Sequence, residues 1–432
     1  MLPSRERAPL DPDAIARALE ADAAALGFDL FGIAPADTLV EDLAAYRQRL
    51  AEGRLRGMDW LNDERVIAFA PTQLVEEACS VIVLGMSYYI PAAPEPAADD
   101  HGPTGRVARY ARGRDYHRVI RPKLRRLAGR LAELAGRPVR ARLFVDSGPL
   151  AERAFARAAG IGWIGKNTLL LNRRLGSWSF LAAIVSDVAL PTGKPVRTNC
   201  GACDRCLRAC PTEAFVAPYV LDATRCISYL TIEHRGPIPP ELRPAMGDWI
   251  FGCDVCQDVC PVNRKAAAAR EPDFAPRPGI GERTALLPLL ALDDAAFDAR
   301  FRGSAIRRAK REGFLRNVAI ALGNSGDPAA VPALAAALRN DPSPVVRGAA
   351  AWALGRIGGE AARRALAAAD DPDPTVQEEI AAALARIAPA APGSKSAAAG
   401  RSSLPVTRPQ NGQASERGQA TDQLASSVSL PG

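Results

Sequence analysis

Eight of the nine cysteines lie between Cys200 and Cys260, and their spacing is the strongest chemical signal in the chain. The first run has the form Cys-x2-Cys-x2-Cys-x3-Cys-Pro and ends at Cys210. The second run ends with the same Cys-x2-Cys-x3-Cys-Pro pattern, starts at Cys253 and follows an isolated Cys226. In two-cluster ferredoxins the fourth cysteine of such a run binds the other cluster. The spacing therefore predicts two [4Fe–4S] clusters in a protein that transfers single electrons.

If the last cysteine of each run binds the cluster of the other run, two complete ligand sets result. The first set is Cys200, Cys203, Cys206 and Cys260, and the second set is Cys210, Cys226, Cys253 and Cys256. Structural zinc is less favoured, because zinc sites use separated Cys-x2-Cys pairs, and disulfides are less favoured because no secretory context supports them. Cys79 lies in an apolar run and is predicted to be a buried strand residue without a ligand role.

Length and charge limit the classes of protein that the chain can be. Its 432 residues are enough for two or three domains, and the net charge is +7. No apolar stretch is long enough to span a membrane, and the N-terminus lacks the apolar segment of a signal peptide, so the cytoplasm is the expected location. Residues 105–126 hold nine Lys and Arg against one Asp, and residues 300–316 hold seven against one Glu. Two such basic stretches beside the cysteines favour a nucleic acid partner over two solvated helix faces.

The chain is predicted to be a multidomain protein of α+β and α/β class. The segment before the cysteines is predicted to be an α/β domain over residues 1–195, because strands alternate with helices. Predicted helices cover residues 11–27, 121–135 and 150–159, and predicted strands cover residues 30–33, 81–84, 140–145 and 181–188. Pro122 is placed in the first turn of its helix, where proline is tolerated. Residues 91–105 are rich in Pro, Ala and Asp and are predicted to be a mobile loop.

The remaining chain divides into three predicted segments. A ferredoxin-like two-cluster domain covers residues 196–265, and helical HEAT-like repeats cover residues 266–388. The sequence Asp-Pro-Ser-Pro at Asp341 recurs as Asp-Pro-Asp-Pro at Asp371, which is typical of stacked helix pairs. Residues 389–432 contain few large apolar side chains and are predicted to be a disordered tail.

Two further motifs could carry chemistry. Asp146 follows a predicted strand, at the sheet edge where open α/β sheets bind ligands, and could act as a general acid. The alternative is that Asp146 caps the next helix, and composition alone favours that alternative. Residues 160–167 combine three glycines with Lys166 and could bind a phosphate, but they match no established phosphate-binding pattern.

Several segments together resemble the epoxyqueuosine reductase family, over roughly residues 10–360. They are Arg109–His117, Asp146–Arg153, Gly160–Asn167, Cys226–Glu233 and Gly252–Pro261. Val262 stands where tryptophan is usual in the family, a change that touches no cluster ligand. The resemblance implies an oxidoreductase of queuosine biosynthesis that acts on tRNA carrying epoxyqueuosine at the wobble position of the anticodon. It also implies removal of the epoxide oxygen as water.

The resemblance implies a cofactor and a set of site residues as well. Cobalamin, cycling between cob(II)alamin and cob(I)alamin, would bind in the N-terminal α/β domain beside one cluster, without a histidine ligand to the cobalt. Asp146 matches the family's proton donor. The residues expected to contact the corrinoid are Arg109, Asp146, Lys166, Asn167, Ser177 and Ser228.

The partners follow from the same resemblance and from the charge pattern. The residues expected to contact tRNA are His234, Arg235, Arg307, Lys310 and Arg311. Helical spacing is expected to place the last three on one face, with Arg302, Arg308 and Arg316 nearby and the redox segment remote. The protein is expected to be a monomer that receives electrons from a low-potential donor of the ferredoxin or flavodoxin type.

Two other functions use the same cysteines. A corrinoid iron–sulfur reductive dehalogenase would share the cofactors, but the HEAT-like repeats, the basic stretches and the missing export signal argue against it. A ferredoxin-like electron carrier with a HEAT module would leave the segments around Asp146 and Lys166 without a role.

Overall fold

The computed structural model describes residues 11–91 and 102–387. The predicted tail and residues 92–101 of the predicted mobile loop lie outside these ranges. The helices are α1 (Pro12–Ala25), α2 (Val40–Ala51), α3 (Pro71–Leu74), α4 (Tyr116–Ala135), α5 (Glu152–Ala158), α6 (Arg205–Ala209), α7 (Ile227–Ile232), α8 (Val255–Asp258), α9 (Leu287–Leu290), α10 (Asp294–Arg300), α11 (Lys310–Ser325), α12 (Val331–Asn340), α13 (Pro344–Ile357), α14 (Gly359–Ala367) and α15 (Pro374–Ile387). The strands are β1 (Leu30–Pro35), β2 (Ser80–Ser87), β3 (Thr104–Val107), β4 (Ala141–Phe144), β5 (Trp163–Ile164), β6 (Leu170–Leu171), β7 (Ser179–Ser186), β8 (Phe215–Ala217), β9 (Val220–Leu221), β10 (Trp249–Phe251) and β11 (Thr284–Ala285).

The central sheet of the N-terminal part has the strand order β1-β2-β7-β4, and every neighbouring pair in it is antiparallel. The predicted α/β arrangement, which implies parallel strands, is therefore wrong for this sheet. The error has a physical reason. All eight residues of β2 are buried. Such a continuous apolar run indicates that both faces of the sheet are covered, but it does not indicate strand direction.

Helices cover both faces of this sheet. On one face Ile82 and Leu84 pack with α1 and α4 in one apolar cluster. On the other face Val81 and Val83 pack with Phe155 of α5 in a second cluster. The alternation of side chains along β2 thus supplies two cores from one strand.

Helix α4 begins earlier than predicted. Asp115 caps it by accepting a hydrogen bond from the backbone N–H of His117, and Gly136 ends it in the left-handed conformation with φ 64°. Pro122 therefore lies inside the helix, where it lacks the N–H that would bond to the carbonyl of Arg118. The buried stripe of Ile120, Leu124, Leu127 and Leu131 continues through this position, and burial of that stripe favours the helix despite the missing bond.

Strands from distant parts of the chain join a second sheet of order β10-β3-β11. Strand β3 comes from the N-terminal segment, β10 lies inside the cysteine-rich segment, and β11 follows it. The described residues of both ranges group into one compact unit. The predicted segments around the cysteines thus share a sheet, which fixes the redox segment against its neighbours.

The helical repeats after the cysteines are confirmed as a stack in which α11, α13 and α15 lie side by side. A Cβ added to Gly323 would lie 2.8 Å from the Cα of Ala353, and one added to Gly355 would lie 2.7 Å from the Cα of Ala383. These glycines allow the close approach of successive helices. Two ion pairs also recur, Arg311 with Asp341 and Arg347 with Asp371, with N–O distances of 2.5 and 2.6 Å.

Cys79 is exposed, so the prediction of a buried strand residue is wrong. Strand β2 begins one residue later, at Ser80, and the Cys79 side chain turns outward at the end of the sheet, where its Sγ lies 3.3 Å from the carbonyl of Glu77. In the described ranges, none of the helices is both long enough and apolar enough to cross a membrane.

Candidate redox and proton-transfer site

The four cysteines of the first ligand set line one cavity of about 130 Å³. Apolar side chains such as Trp163, Leu171 and Val262 form much of its wall. Burial and the neighbouring thiols of Cys200 and Cys260 raise the pKa of Cys206, as expected when several thiols converge. Four thiols around a small apolar cavity fit a [4Fe–4S] cluster, which requires four cysteine ligands.

The second ligand set also converges. Burial raises the pKa of Cys253, and the nearby thiols of Cys226 and Cys210 act in the same direction. Burial likewise raises the pKa of Cys256 well above its usual range, and both Cys253 and Cys226 add to the effect. Each of these cysteines is therefore close to the members of the set that the spacing assigns to it.

The two sets are adjacent but differ in their surroundings. Cys206 of the first set is close enough to Cys256 of the second to raise its pKa. Residues next to the second set, such as Phe251, Asp254 and Gln257, are buried. Residues next to the first set are exposed at positions 199, 201, 202 and 205. The first set thus lies toward the surface and the second toward the interior.

Within the residues that the structure describes, no three His, Cys, Asp or Glu side chains are arranged around a single metal ion. A mononuclear zinc ion holds its sulfur ligands about 2.3 Å away. A cluster needs a wider set of ligands, because several iron and sulfide ions lie between the thiolates.

Asp146 follows β4 and adopts the left-handed conformation, with φ 56°. Its Oδ2 accepts a hydrogen bond of 2.5 Å from the hydroxyl of Tyr116, and the side chain is exposed. Helix α5 begins six residues later with Ala151 at the cap position, so Asp146 does not cap it. The turn presents a carboxylate at the surface, and the helix-cap alternative is excluded.

Tyr116 is a site residue that the sequence analysis did not identify. Its ring stacks on Phe180 with centroids 4.3 Å apart and lies 6.3 Å from the ring of Tyr110. Tyr110 in turn lies 6.1 Å from Phe251, two residues before Cys253. The pKa of Tyr116 is raised by burial and by the charge of Asp146, so its hydroxyl stays a donor. A chain of aromatic contacts thus joins Asp146 to the second ligand set.

Glu152 and Arg153 show that Asp146 lies at a cleft. Glu152 Oε1 is buried without a hydrogen-bond partner among the described residues, and burial together with Asp146 raises its pKa to about 7. Burial lowers the pKa of Arg153, although this side chain is exposed. A side chain that lines a concave surface can be exposed to solvent and still have its charge disfavoured by burial. Arg153 Nη1 donates to the carbonyl of Thr168 at 2.6 Å, which brings the glycine-rich segment to the same cleft.

The raised pKa of Glu152 predicts a pH dependence of stability. The unfolded carboxyl titrates near 4.5 and the folded one near 7, so the folded state binds more protons between these values. Stability should therefore fall as pH rises from about 4.5 to above about 7. Glu152→Gln, which cannot ionise, should show a smaller fall in melting temperature over this range than the wild type. Glu20→Gln, at an exposed position of α1, is the control and should follow the wild type. Parallel curves for all three proteins would contradict the assignment.

Arg109, predicted to contact a corrinoid, lies between an aromatic ring and two carboxylates. Its guanidinium carbon is 4.9 Å from the ring centroid of Trp178, and Nη1 lies 2.5 Å from Asp258. Its backbone N–H donates to Asp254, and burial raises the pKa of that carboxyl to about 6. Arg109 is thus anchored beside the second ligand set.

The other predicted corrinoid residues have different surroundings. Lys166 Nζ donates to the carbonyl of Gly201 at 2.7 Å, and Asn167 Nδ2 is buried without a partner among the residues described. The Ser177 hydroxyl lies in an internal network, 2.9 Å from Gln257 Oε1. Ser228 is half-buried in α7. Asn167 therefore offers a free donor, whereas Ser177 already has protein partners.

The predicted basic face of residues 300–316 is not a single face. Lys310 has φ 58°, which breaks the helical path between Arg307, in a 3-10 turn over Ala305–Ala309, and α11. Arg311 is turned inward by its ion pair with Asp341, and its side chain is only 10% exposed. Arg307 and Lys310 remain exposed.

Arg316, expected near this face, is instead 1% exposed. It donates to the carbonyls of Leu230, His234 and Gly236. Burial lowers its pKa to about 9. Since α7 begins directly after Cys226, these bonds place the basic segment against the redox segment, and the predicted separation of the two is wrong.

A surface cluster of Trp60, Arg235 and Arg308 lies on this side of the site. The Arg308 guanidinium carbon is 5.2 Å from the Trp60 ring centroid, and Arg235 donates to the backbone carbonyl of Arg308 at 3.0 Å. Its pair with Glu233 raises the pKa of Arg308, and Asp146 adds to this effect, so the cluster is near the carboxylate. His234 Nε2 lies 2.9 Å from the carbonyl of Pro237, and the ring is half-buried.

The basic stretch at residues 105–126 is divided as well. Five of its cations are ion-paired, with Arg106, Arg109, Arg112, Arg114 and Lys123 bound to carboxylates of later segments. Arg118, Arg121 and Arg125 are exposed on one face of α4 and have no ion pair in the described ranges. Arg121 Nη2 donates to Ser147 Oγ, next to Asp146, so this arginine strip leads to the cleft.

Comparison with known proteins agrees with this geometry. The family model of a 4Fe-4S double cluster binding domain matches residues 199–263, that of Epoxyqueuosine reductase QueG, DUF1730 matches residues 69–147, and that of HEAT repeats matches residues 300–385. A solved structure of epoxyqueuosine reductase with an epoxyqueuosine-modified tRNA-Tyr stem loop is 31% identical, with a TM-score of 0.80 over 87% of this chain and 99% of that one. A Bacillus subtilis structure with the same values has its catalytic aspartate loop swung out of the active site.

Curated relatives match over most of their length. The epoxyqueuosine reductase of Xanthomonas campestris is 44% identical over 349 residues, which cover 81% of this chain and 98% of the relative. That of Pseudomonas aeruginosa is 43% identical over 362 residues, which cover 81% and 96%. With these identities, and with both cysteine sets assembled beside a carboxylate cleft, the chain belongs to the epoxyqueuosine reductase family.

Proposed function

We propose that this chain reduces epoxyqueuosine at the wobble position of tRNA to queuosine. The observation that carries the proposal is the carboxylate of Asp146, held by Tyr116 in a surface cleft and joined by aromatic contacts to the second cysteine set. Reduction of an epoxide to an alkene takes two electrons and two protons and releases water. The clusters supply the electrons one at a time, and the cleft supplies protons.

Cobalamin is the proposed cofactor of the cleft. We assign its binding to the residues that the family resemblance indicates, of which Lys166 and Asn167 also line the cavity of the first cysteine set. These residues are Arg109, Asp146, Lys166, Asn167, Ser177 and Ser228. The buried Asn167 Nδ2, which lacks a partner among the described residues, fits an acceptor such as an amide carbonyl of a corrinoid. When bound and reduced, cobalamin would supply low-potential electrons or a nucleophile at the epoxide.

The proposed proton path uses two carboxyls. Because the Tyr116 hydroxyl donates to Oδ2 of Asp146, Oδ1 is the oxygen left to transfer a proton to the leaving oxygen. Glu152 holds a proton up to a pH of about 7 and senses the charge of Asp146, so it can return a proton after each turnover. Tyr116 is a positioning residue for the Asp146 carboxyl.

The proposed tRNA surface surrounds the cleft. It combines the strip of Arg118, Arg121 and Arg125 on α4 with the cluster of Trp60, Arg235 and Arg308, and includes the predicted His234, Arg307 and Lys310. Phosphate contacts from arginine position a nucleic acid without reading sequence. An aromatic ring can stack on an unpaired base of an anticodon loop.

Variants of Arg307, Lys310 and Arg311 distinguish side chains that bind tRNA from a side chain that stabilises the fold. The double variant Arg307→Ala, Lys310→Ala should weaken tRNA binding and lower the salt slope by about 0.9 for each phosphate that is no longer neutralised, because both side chains are exposed. Arg311→Ala should instead lower stability by about 3–5 kcal/mol, since it leaves Asp341 buried and unpaired. Titration of binding at several salt concentrations and thermal unfolding measure the two effects. Wild-type affinity and slope in the double variant would exclude a role of these two side chains in tRNA binding.

The activity itself is tested with the anaerobically reconstituted protein and an epoxyqueuosine-containing tRNA stem loop. Formation of queuosine, measured by nucleoside mass spectrometry, should require a strong reductant and added cobalamin. Deletion of the gene should leave epoxyqueuosine in cellular tRNA. Queuosine in the tRNA of the deletion strain would contradict the proposed function.

A further inference from the structure

Exposed large apolar side chains are few in the described ranges, and two of them lie beside the first cysteine set. The four in the described ranges are Val40, Trp60, Val216 and Tyr219. Val216 and Tyr219 belong to one hairpin, formed by β8 and β9. Tyr219 has φ 67°, and its backbone is held from both sides. Its N–H donates to the carbonyl of Lys166, and its carbonyl accepts from Arg49. The hairpin tip is thus fixed, with its apolar side chains facing solvent.

This hairpin lies against the first set. The pKa of Tyr219 is raised by burial and by the thiols of Cys200 and Cys206. Lys166, which binds the hairpin backbone, lines the cavity of this set. Because two cluster ligands influence the pKa of this exposed tyrosine, the first cluster comes close to the surface near Tyr219.

A basic depression also borders this cysteine set. Its lining includes Arg205, Arg208, Arg264 and Asp258, together with the ligand Cys260. Arg208 pairs with Asp204 at 3.0 Å, and Asp258 pairs with Arg109 at 2.5 Å. Arg205 and Arg264 have no ion pair in the part of the chain that the structure describes. The depression is therefore positively charged next to the cluster ligand Cys260.

We propose that this surface, formed by the tip of the β8–β9 hairpin and the arginines around Cys260, is the docking site of an acidic one-electron carrier protein. The inference rests on the proposed function, which needs two electrons per turnover from outside the chain. Two carrier molecules would dock in succession. Each is oxidised by one electron, and each electron reduces the first cluster and passes to the second, whose ligand Cys256 lies near enough to Cys206 for that thiol to raise its pKa.

Charge and size favour such a partner. Redox complexes are small and short-lived, with interfaces at the low end of the size range. Opposite charges accelerate their encounter, and a few apolar contacts at the centre orient the carrier. An arginine rim beside two exposed apolar side chains has this composition. The arginine strip of α4 and the Trp60 cluster, which we assign to tRNA, are near Asp146 and share no residue with the proposed docking surface.

The test uses the holoprotein with both clusters and reduced flavodoxin as the acidic carrier. The double variant Arg208→Glu, Arg264→Glu should slow the second-order reduction of the clusters about tenfold or more at low salt, with the difference shrinking as salt is added. Stopped-flow absorbance of the clusters measures this rate without tRNA or turnover. The control Arg339→Glu, Arg356→Glu changes the charge equally at exposed positions of α12 and α13 and should react like the wild type.

Reduced methyl viologen, a small cation that needs no docking site, should reduce all these proteins equally well.

A second variant, Val216→Thr, Tyr219→Asn, should slow the flavodoxin reaction with little change in salt dependence, because it removes apolar contacts and no charge. The hairpin should still fold, since threonine suits a strand and asparagine tolerates a left-handed backbone. A flavodoxin rate and salt dependence that are unchanged in both variants would overturn the proposal. Weakened tRNA binding with an unchanged flavodoxin rate would assign the surface to nucleic acid and also overturn it. If the proposed function fails, no queuosine forms with viologen either, whereas the cluster reduction rates still report on docking.

Discussion

The Asp146→Asn variant is expected to keep both clusters and its tRNA affinity and to lose queuosine formation by about 10²–10⁴-fold, the usual contribution of general acid–base assistance. A carboxyl group can transfer a proton through Oδ1, whereas a side-chain amide does not act as an acid. Since Asp146 is exposed and makes no cap for α5, no structural role accounts for such a loss.

Asparagine is the suitable replacement because of the backbone. Asp146 has φ 56°, and Asn adopts this left-handed conformation more readily than other side chains with a Cβ. The amide has nearly the size of the carboxyl, and its oxygen can still accept from the Tyr116 hydroxyl. Alanine would add backbone strain and remove that hydrogen bond, so its effect could not be assigned to the proton alone.

Tyr116→Phe provides the matched comparison. It removes the hydroxyl that holds Asp146 and keeps the ring stacked on Phe180. A hydrogen bond to a charged group contributes about 1.5–3 kcal/mol, so loss of positioning should cost at least about tenfold in turnover. The effect should be smaller than that of Asp146→Asn, because Asp146 can still carry its proton.

Single-turnover assays with pre-reduced enzyme and excess enzyme over tRNA separate proton transfer from electron supply. The iron content, cobalamin binding and tRNA affinity of both variants serve as controls. Near-normal single-turnover rates for Asp146→Asn would show that the carboxyl is not the acid. A partial loss in Tyr116→Phe together with the much larger loss in Asp146→Asn would support the two separate roles.

Sequence spacing predicts cluster ligands because much of each set is local. Cys200, Cys203 and Cys206 of the first set lie in one short stretch, as do Cys253 and Cys256 of the second, and the exchanged fourth ligand follows a known pattern. The repeated motif at Asp341 and Asp371 could be recognised for a similar reason, because it is local. Each aspartate lies in the connection before a helix and pairs with an arginine that precedes it in the chain.

The parts that could not be predicted depend on contacts between distant segments. Tyr116 precedes Asp146 by thirty residues, and nothing in the spacing indicates that the start of α4 reaches the end of β4. Strand direction in the central sheet was misread for the same reason, because apolar runs report burial alone. Arg311 and Arg316 looked like surface charges, but acceptors on other elements turn them inward.

Exchange of the fourth ligands has a consequence that a local reading of the cysteine runs would not give. Cys260→Ala should lose the first cluster, whose other ligands are Cys200, Cys203 and Cys206, although Cys260 belongs to the second run. Cys210→Ala should likewise lose the second cluster, because Cys210 lies close to Cys226 and Cys253. The shared cavity of Cys260 with the three cysteines of the first run supports the same exchange.

The wild type should contain about eight iron atoms per chain and each variant about four, as two four-iron clusters require. Cys79→Ala is the control, since Cys79 is exposed and is not a ligand, and it should keep about eight. Iron and sulfide analysis after anaerobic reconstitution gives the content, and paramagnetic resonance of the reduced proteins shows which cluster remains.

The two cysteine variants should also differ in what they can still do. Cys260→Ala keeps the buried second cluster next to the Asp146 cleft, so a small reductant that reaches this cluster should still support some turnover, whereas flavodoxin, which docks at the first cluster, should not. Cys210→Ala loses the cluster joined to the cleft by Phe251, Tyr110 and Tyr116 and should be inactive with either reductant. Zinc in the wild-type protein, or loss of the second cluster in Cys260→Ala with the first retained, would contradict the exchanged ligand sets. Equal activity of both variants with flavodoxin would contradict the order in which electrons pass from the surface to the cleft.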